Sequence, residues 1–269
     1  MVVKFAIVTH WQIPKLLIGL RTLVFETQTL LIAVCLFLGA VLYTSVGHAG
    51  ASAYIAIMTL FDLPPLVIKP TALMLNIFVS SYTSFRYIRS NYFNKSLFTY
   101  LIIGSIPAAF IGGQINLPSH IYKPIIGVLL LISGTRFLIQ ALQIDQPHRS
   151  FNGVIAVTIG AGIGLLSGIT GTGGGIFLSP LIIWLGWVSV KQASGTVAAF
   201  IFVNSIAGLL GNFQSTQSLP SELPFFVGAV LLGAFVGTRF GISKFSSTGI
   251  KRALGFVLLI AGAKFIIAP

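Results

Sequence analysis

Residues 151–188 read FNGVIAVTIGAGIGLLSGITGTGGGIFLSPLIIWLGWV, and this stretch decides which fold the chain can adopt. It holds apolar segments at about 151–169 and 174–188, with the glycine-rich sequence GTGGG at 171–175 between them. A helix that crosses the hydrocarbon of a bilayer needs about 20 largely apolar residues, so the second segment is short for a span. Glycine adopts backbone angles that other residues avoid. The stretch therefore predicts a membrane helix, a backbone break and a short apolar helix.

The composition of the whole chain agrees with a lipid environment. Hydrophobic residues make up 55% of the sequence, charged residues make up 7%, and the mean hydropathy is +0.98. A soluble domain carries about 25% charged residues because most of its surface faces water. This chain has too little charge to cover itself with a solvated shell, so we expect an integral membrane protein.

Apolar segments of helical length recur along the chain. Besides the two quoted above, they lie at about 29–46, 51–62, 66–86, 97–115, 121–142, 192–213, 223–240 and 249–268. The segment at 51–62 is as short as the one at 174–188. We therefore predict an all-α integral membrane protein with about 8–10 transmembrane or re-entrant helices.

These segments form two related halves. Gly47 and Gly171 lie 124 residues apart, and the two sequences then stay in register as far as Ser81 and Ser205. Along this register IFV at 77–79 matches IFV at 201–203, and AFIG at 109–112 later resembles AFVG at 234–237. The sequence thus predicts two homologous repeats, at 29–145 and 146–269, after an interfacial N-terminal segment at 1–28. Repeated halves are typical of secondary transporters, whose substrate sites lie between the repeats.

The relative direction of the repeats stays open at this stage. Five crossings per half would invert the second half, whereas re-entrant short segments would lower the count and could make the repeats parallel. The basic loops at 86–95 and 244–252 are candidates for the cytoplasmic side, since Lys and Arg accumulate there. With ten crossings they share a side and both termini lie outside, although the basic residues in 1–28 oppose that orientation.

The charge and cysteine content exclude several classes of partner. The formal net charge is +12, which fits lipid headgroups and basic cytoplasmic loops better than nucleic acid. No basic run with interleaved aromatics of the kind that binds single strands occurs in the sequence. The single Cys35 rules out an intrachain disulfide or a cysteine metal cluster. We expect no metal and no cofactor.

The glycine breaks are the first candidate substrate-binding positions. A helix that begins inside the membrane presents free N–H groups and the positive end of its dipole, which suits an anion without a fixed cation. Close packing of helices through small residues is the alternative explanation. The candidates are Gly47, His48 and Gly50 in the first half and Gly171, Gly173 and Gly174 in the second.

Polar residues in the following segments are the second set of candidates. Thr71, Asn76 and Ser80 in the first half and Thr196 and Asn204 in the second could bind the oxygens of an oxyanion. The alternative is hydrogen bonding between helices, worth about 0.6 kcal/mol on average. For His48, donation to an anion, proton transfer and a structural role all stay open.

Acidic residues are scarce, which narrows the chemistry. The chain has only four, Glu26, Asp62, Asp145 and Glu222, and each lies in a loop or at the edge of a segment. A carboxylate relay within the membrane and a cationic substrate are both disfavoured. No His-Glu-x-x-His motif, intramembrane carboxylate pair or cysteine cluster is present, so we predict no catalytic residues and no enzyme activity.

At these residues the sequence resembles the sulfite exporter TauE/SafE family over about residues 29–268. The resemblance is carried by GTGGG at 171–175 with Pro180, by SGT at 194–196, and by GHAGAS at 47–52 with KPTAL at 69–73. The first half departs from the simpler glycine pattern because it has His48 and lacks a proline at Ala56. The resemblance implies a bacterial inner-membrane transporter for sulfite, sulfonates or related small sulfur anions.

Taken together, these observations predict a multi-pass secondary transporter that exports a small anion by alternating access. A passive anion channel is the main alternative, and a membrane-embedded enzyme is the next. The expected partners are the anion and the lipid bilayer, with no nucleic acid. Both a monomer and a homo-oligomer stay open.

Overall fold

The computed structural model describes residues 27–45, 47–140 and 149–243, with part of 252–267. The predicted interfacial segment therefore lies almost entirely outside the described residues. Those residues form helices and loops without a strand. The helices are α1 Thr27–Ser45, α2 Ala51–Leu60, α3 Pro65–Arg89, α4 Lys95–Gln114, α5 Ser119–Gln140, α6 Gly153–Thr170, α7 Gly175–Trp184, α8 Val190–Gly211 and α9 Leu223–Ser243, with a 3-10 turn at Phe213–Ser218 and helical residues within 252–267.

The expectation of an all-α integral membrane protein is confirmed. Among the described residues, six helices are long and apolar enough to cross a membrane. They are α1, α3, α4, α6, α8 and α9. Large apolar side chains such as Val154, Leu232 and Ile260 are 75%, 65% and 64% exposed. Such a surface requires lipid around it.

Helices α3 and α8 form the centre of the bundle. In an 18-residue apolar stretch of α8, 78% of the residues are buried inside the protein, compared with 33% in the corresponding stretches of α4 and α9. The corresponding share in α3 is 61%. The large, fully buried side chains of Tyr54 and Phe200 lie in this interior. Polar residues on α3 and α8 are therefore shielded from lipid by the other helices.

The two short helices reach only part of the way through a bilayer. Helices α2 and α7 contain 10 residues each, or about 15 Å, which is half of the hydrocarbon thickness of about 30 Å. Their boundaries share the same offset, since Ala51 and Gly175, like Leu60 and Trp184, lie 124 residues apart. The structure thus agrees with the sequence expectation that neither is a full span.

Each short helix runs back toward the start of the long helix before it. In the first half, Nε2 of Gln28 at the start of α1 donates to the carbonyl oxygen of Phe61, just after α2, over 3.4 Å. The backbone N–H of Arg149, before α6, donates to the carbonyl of Gly186, after α7, over 2.7 Å. Both pairs are antiparallel hairpins, and the break at the tip of each hairpin lies inside the bundle.

Glycines allow two pairs of long helices to pack with their backbones in contact. A Cβ on Gly160 of α6 would collide with the carbonyl oxygen of Leu101 in α4, and one on Gly168 would collide with that of Ala109. Residue numbers rise together along both helices, so α4 and α6 are parallel. Close approach through small residues is common in membranes, where it maximises van der Waals contact.

The same packing joins α1 and α9. A Cβ on Gly233 would meet the carbonyl oxygen of Phe37, and one on Gly241 would meet that of Ser45. These helices are also parallel. The first helix of each half therefore packs against the fourth helix of the other half.

These directions invert the second half relative to the first. We call face A the end of the bundle where α1 and α3 begin, and face B the end where α3 ends and α4 begins. Helix α1 runs from A to B, and α4 runs from B to A. Because α6 is parallel to α4, it begins at face B, opposite to α1. The short segments reach only half of the membrane, yet the two halves run antiparallel.

Candidate functional site

The first break is held by hydrogen bonds from its own flanks. Gly47 and Gly50 have φ angles of 79° and 106°, which side chains rarely tolerate. The backbone N–H of His48 donates to the carbonyl of Tyr43 over 2.9 Å, and the hydroxyl of Tyr54 donates to the carbonyl of Ala49 over 2.5 Å. The His48 side chain is buried, at 3% exposure, with its ring 6.4 Å from that of Tyr43.

The second break has the same backbone shape at matching positions. Gly171 and Gly174, which align with Gly47 and Gly50, both have φ of 79°, and Gly173 has φ of 73°. The carbonyl of Thr170 accepts a hydrogen bond from the hydroxyl of Tyr122 in α5 over 2.9 Å. The hydroxyls of Thr170 and Thr172 lie 2.9 Å apart. The break is thus tied to a helix of the other half.

Each break packs against the third helix of the opposite half. A Cβ on Gly47 would collide with the Cβ of Ser194 in α8. A Cβ on Gly171 would lie 3.2 Å from Cγ of Lys69 in α3. Side chains at these two glycines would push the breaks away from α3 and α8. The glycines are therefore needed for the breaks to reach the centre of the bundle.

A group of residues meets beside the second break, and we call it the central cluster: Asn76, Gly173 and Ser205. Nδ2 of Asn76 donates to Oγ of Ser205 over 3.4 Å. A Cβ on Gly173 would lie 2.5 Å from Nδ2 of Asn76 and 3.2 Å from Oγ of Ser205. Both polar side chains are 0% exposed. The cluster brings together both central helices and the start of α7.

The central cluster has unused hydrogen-bonding capacity. Within the described part of the chain, Oδ1 of Asn76 has no hydrogen-bond partner, and neither has Oδ1 of Asn204, the residue before Ser205. Nδ2 of Asn204 donates to the carbonyl of Phe200 over 2.8 Å. Buried polar atoms are nearly always paired, and those that are not need a specific reason. Both unpaired atoms are acceptors, so a water or another hydrogen-bond donor would supply the missing partners.

Not every predicted site residue reaches this cluster. Gly174 lies next to it as the N-cap of α7, and a Cβ there would meet Phe200 and Ser167. The hydroxyl of Ser80 donates to the carbonyl of Asn76 one turn earlier, which is a bond within α3. The hydroxyl of Thr71 is buried and has no partner among the described residues.

Thr196 has a structural contact instead. Its Oγ1 accepts a hydrogen bond from the backbone N–H of Asn94 over 3.1 Å. Asn94 is the N-cap of α4 and binds the N–H of Leu97 with its own side chain. Thr196 therefore fastens the loop at face B to α8. It lies eight residues from Asn204, about 12 Å along the helix axis.

Two residues of the interior were left out of the predicted site. Ser205 was visible in the sequence only as the match to Ser81 in the repeat. Lys69 was visible as one cation within a long apolar segment. Its side chain is 6% exposed, and Nζ donates to the carbonyls of Gly113 and Ile115 over 3.1 and 3.0 Å. A buried ammonium is held there by the last carbonyls of α4.

Acidic residues are scarce in the described part of the chain. Among the described residues, the acids are Asp62, in the turn after α2, and Glu222, directly before α9. No group of three or more His, Cys, Asp or Glu that could hold a metal occurs in the described ranges. The central cluster is instead made of one amide, one hydroxyl and the N-terminal end of α7, which is the positive end of the helix dipole.

The fold and the site define a multi-pass membrane protein with two broken helical hairpins and a buried polar centre. The sequence profile of the family described as sulfite exporter TauE/SafE matches residues 31–265. The chain belongs to this family of membrane transporters and is not an enzyme, as the sequence predicts.

Curated relatives agree with this assignment. A probable membrane transporter protein, y4hK, of Sinorhizobium fredii is 34% identical over 247 residues, which cover 90% of this chain and 99% of that protein. The probable membrane transporter protein YjnA of Bacillus subtilis is 25% identical, over 86% of this chain and 96% of its own length. The probable membrane transporter protein YunE of Bacillus subtilis is 22% identical, over 76% and 82%. No solved structure matches the chain.

Proposed function

We propose that the protein exports a small sulfur-containing oxyanion, such as sulfite or a sulfonate, across the bacterial inner membrane by alternating access. The observation that carries the proposal is the central cluster, in which Asn76 and Ser205 from opposite halves meet Gly173 in the second break. The cluster is buried, polar and free of acidic groups among the described residues. The name of the family points to sulfite as the first anion to test.

The chemistry of the cluster suits an oxyanion. The first N–H groups of α7 have no partner within the helix, and the helix dipole adds positive potential at the same end. The N-cap of α7 is Gly174, which has no side chain to occupy this space. The amide of Asn76 and the hydroxyl of Ser205 can donate to anion oxygens when their mutual hydrogen bond opens.

The two faces of the bundle differ in a way that supports alternating access. At face B, the carbonyl of Tyr92 occupies the space that a Cβ on Gly195 would need. The hydroxyl of Tyr87 is 3.3 Å from the carbonyl of Ser45, and Thr196 binds Asn94. At face A, a cavity of about 240 Å³ is lined by residues that include Lys69 and Asn212. Close interhelical contacts at one face and a cavity at the other are features that an alternating-access transporter would combine.

The distribution of basic residues supports a cytoplasmic face B. Positive residues accumulate on the cytoplasmic side of membrane proteins. The described residues at face B include several cations, at the end of α3, before α6 and at the starts of α4 and α8: Arg86, Arg89, Lys95, Arg149 and Lys191. Face A then faces the outside of the cell, so α1 and α9, which both begin at face A, begin on that side. An anion leaving the negative interior gains about 2.3 kcal/mol per charge per 100 mV.

Flux into proteoliposomes under an imposed potential tests this function. We would compare labelled sulfite, sulfate, thiosulfate and taurine, with protein-free vesicles of the same lipid as the control. Saturable flux of one anion, competed by its relatives, is the expected result. Flux that rises linearly with concentration would favour a channel, and the absence of anion flux above control would reject the proposal.

A further inference from the structure

The cavity at face A is lined by none of the residues of the central cluster. It has a volume of about 240 Å³ and lies where α3 begins, α4 and α6 end and the loop after α8 passes. Its polar lining residues are Lys69, Asn116, Tyr122, Asn212 and Ser215. Among the residues that line it, Lys69 is the charged one. The cavity is therefore a positively charged vestibule, and we keep that name for it.

Lys69 has one N–H to offer to a ligand. An ammonium group has three donors, and two of those on Lys69 bind the carbonyls of Gly113 and Ile115 at the end of α4. Burying a cation is costly unless it is paired, and two carbonyls supply only partial charge. The third donor and most of the positive charge remain for an anion in the vestibule.

Asn212 supplies a second and independent observation. Its side chain is 3% exposed and lines the vestibule, and Nδ2 has no hydrogen-bond partner among the described residues. Oδ1 of the same amide accepts a hydrogen bond from the hydroxyl of Ser215 over 2.8 Å. With the amide in this orientation, its N–H₂ end is unpaired. A buried unpaired donor of this kind needs an acceptor.

The vestibule also borders the second break. Gly171 packs against the side chain and backbone of Lys69, and Ile169, at the end of α6, lines the cavity. The hydroxyl of Tyr122 binds the carbonyl of Thr170 next to this contact. An anion released from the central cluster toward face A would meet Lys69 directly beyond Gly171.

We propose that Lys69 and Asn212 form a second binding site for small oxyanions in the vestibule, separate from the central cluster. The ammonium of Lys69 and the amide N–H of Asn212 donate to the oxygens of the anion, and the cavity admits it from face A. The site rests on the proposed function only in taking the transported anion as its ligand. It is the binding site that an anion occupies on its way from the central cluster to the outside.

A charge-sensitive cysteine reporter tests the site without measuring transport. Asn116 is exposed at the rim of the vestibule, and Cys35 is the one native cysteine. We would introduce Asn116→Cys with Cys35→Ala and measure modification by an anionic, sulfonate-bearing methanethiosulfonate and by a cationic, trimethylammonium-bearing one. We expect the anionic reagent to react about tenfold faster relative to a free thiol, because of the nearby positive charge.

Substitutions then test whether Lys69 supplies the positive charge and whether Asn212 contributes to anion binding. Lys69→Gln should remove the preference for the anionic reagent, whereas Lys69→Arg should keep it. Lys191→Gln is the matched control, because Lys191 lies at face B next to Tyr92. Sulfate that replaces chloride at constant ionic strength should slow modification, and Asn212→Ala should weaken this protection several-fold. Sulfate is the probe because sulfite consumes the reagent.

The outcomes separate this site from the proposed function. An unchanged preference in Lys69→Gln, or no protection by sulfate in the Asn116→Cys reporter with Lys69 and Asn212 intact, would overturn the vestibule site. If Lys69→Gln does not fold, the site is still tested by comparing sulfate protection of the Asn116→Cys reporter with and without Asn212→Ala. Protection without flux in proteoliposomes would leave the site standing and reject the exporter. Anion flux in proteoliposomes without sulfate protection of the reporter would reject the vestibule site and leave the proposed exporter function standing.

Discussion

Asn76 of α3 donates a hydrogen bond from Nδ2 to Oγ of Ser205 in α8 over 3.4 Å, although the two residues are 129 positions apart in the chain. The bond joins the two central helices, which run in opposite directions. Gly173 in the second break lies against both partners. A movement that changes the spacing of α3 and α8 must therefore change this contact, and a ligand that enters must compete with it.

Replacing Asn76 with alanine should impair transport more than folding. The change removes a donor that we assign to the anion, and a hydrogen bond to a charged group contributes about 1.5–3 kcal/mol. We expect the flux at low substrate concentration to fall by about tenfold or more. Proteoliposome flux, normalised to inserted protein, measures the effect. Ser81→Ala is the matched control, since Ser81 lies on the exposed side of the same helix. Equal flux in the two variants would contradict the role of Asn76.

Replacing Gly173 with alanine should remove transport and lower stability. Its φ of 73° costs an alanine about 1–2 kcal/mol, and the new Cβ would lie 2.5 Å from Nδ2 of Asn76. Gly228→Ala is the control, because a Cβ there meets no atom within 4 Å. Flux assays and thermal unfolding in detergent measure both effects. An alanine variant at Gly173 that transports like the wild type would show that the close approach is dispensable.

The parallel packing of α4 and α6 gives a prediction about stability alone. Gly160→Leu places a side chain where the carbonyl oxygen of Leu101 lies, so the helices must separate. Overpacking of this kind costs about 1–3 kcal/mol. Gly162→Leu, two residues away on the same helix, has open space for a Cβ. The melting temperature of Gly160→Leu should fall well below that of Gly162→Leu, and equal melting temperatures would refute the close packing of α4 and α6.

The orientation of the bundle can be tested by labelling in intact cells. In the Cys35→Ala background, Gln217→Cys lies at face A and Ser96→Cys lies at face B, both at exposed positions. A membrane-impermeant maleimide should label the first variant in intact cells and the second only after permeabilisation. The reverse pattern would place face B outside and turn the vestibule toward the cytoplasm.

The sequence predicts the short helices because their breaks depend on local properties. Glycines at 47, 50, 171 and 174 have positive φ, and the apolar segments after them end within a few residues of the observed helix ends. These features need no knowledge of the tertiary structure. The same pattern could not fix the direction of the repeats, because direction depends on which helices pack together.

The identity of the site residues was harder to predict for the same reason. Asn76 and Thr196 are both buried polar residues on central helices, yet Asn76 meets Ser205 while Thr196 holds Asn94. Residue type and spacing do not distinguish these two outcomes. The pairing of Gly47 with Ser194 and of Gly171 with Lys69 likewise arises only from the inverted packing.

The most direct test of the central claim compares leucine at two glycines in the same assay. Gly174 is the N-cap of α7 beside the central cluster, whereas Gly162 has open space around it. We would measure sulfite flux driven by an imposed potential in proteoliposomes that contain wild type, Gly174→Leu or Gly162→Leu at equal insertion. The account predicts saturable flux for wild type and Gly162→Leu and none for Gly174→Leu. Flux through Gly174→Leu equal to that of the wild type would contradict it.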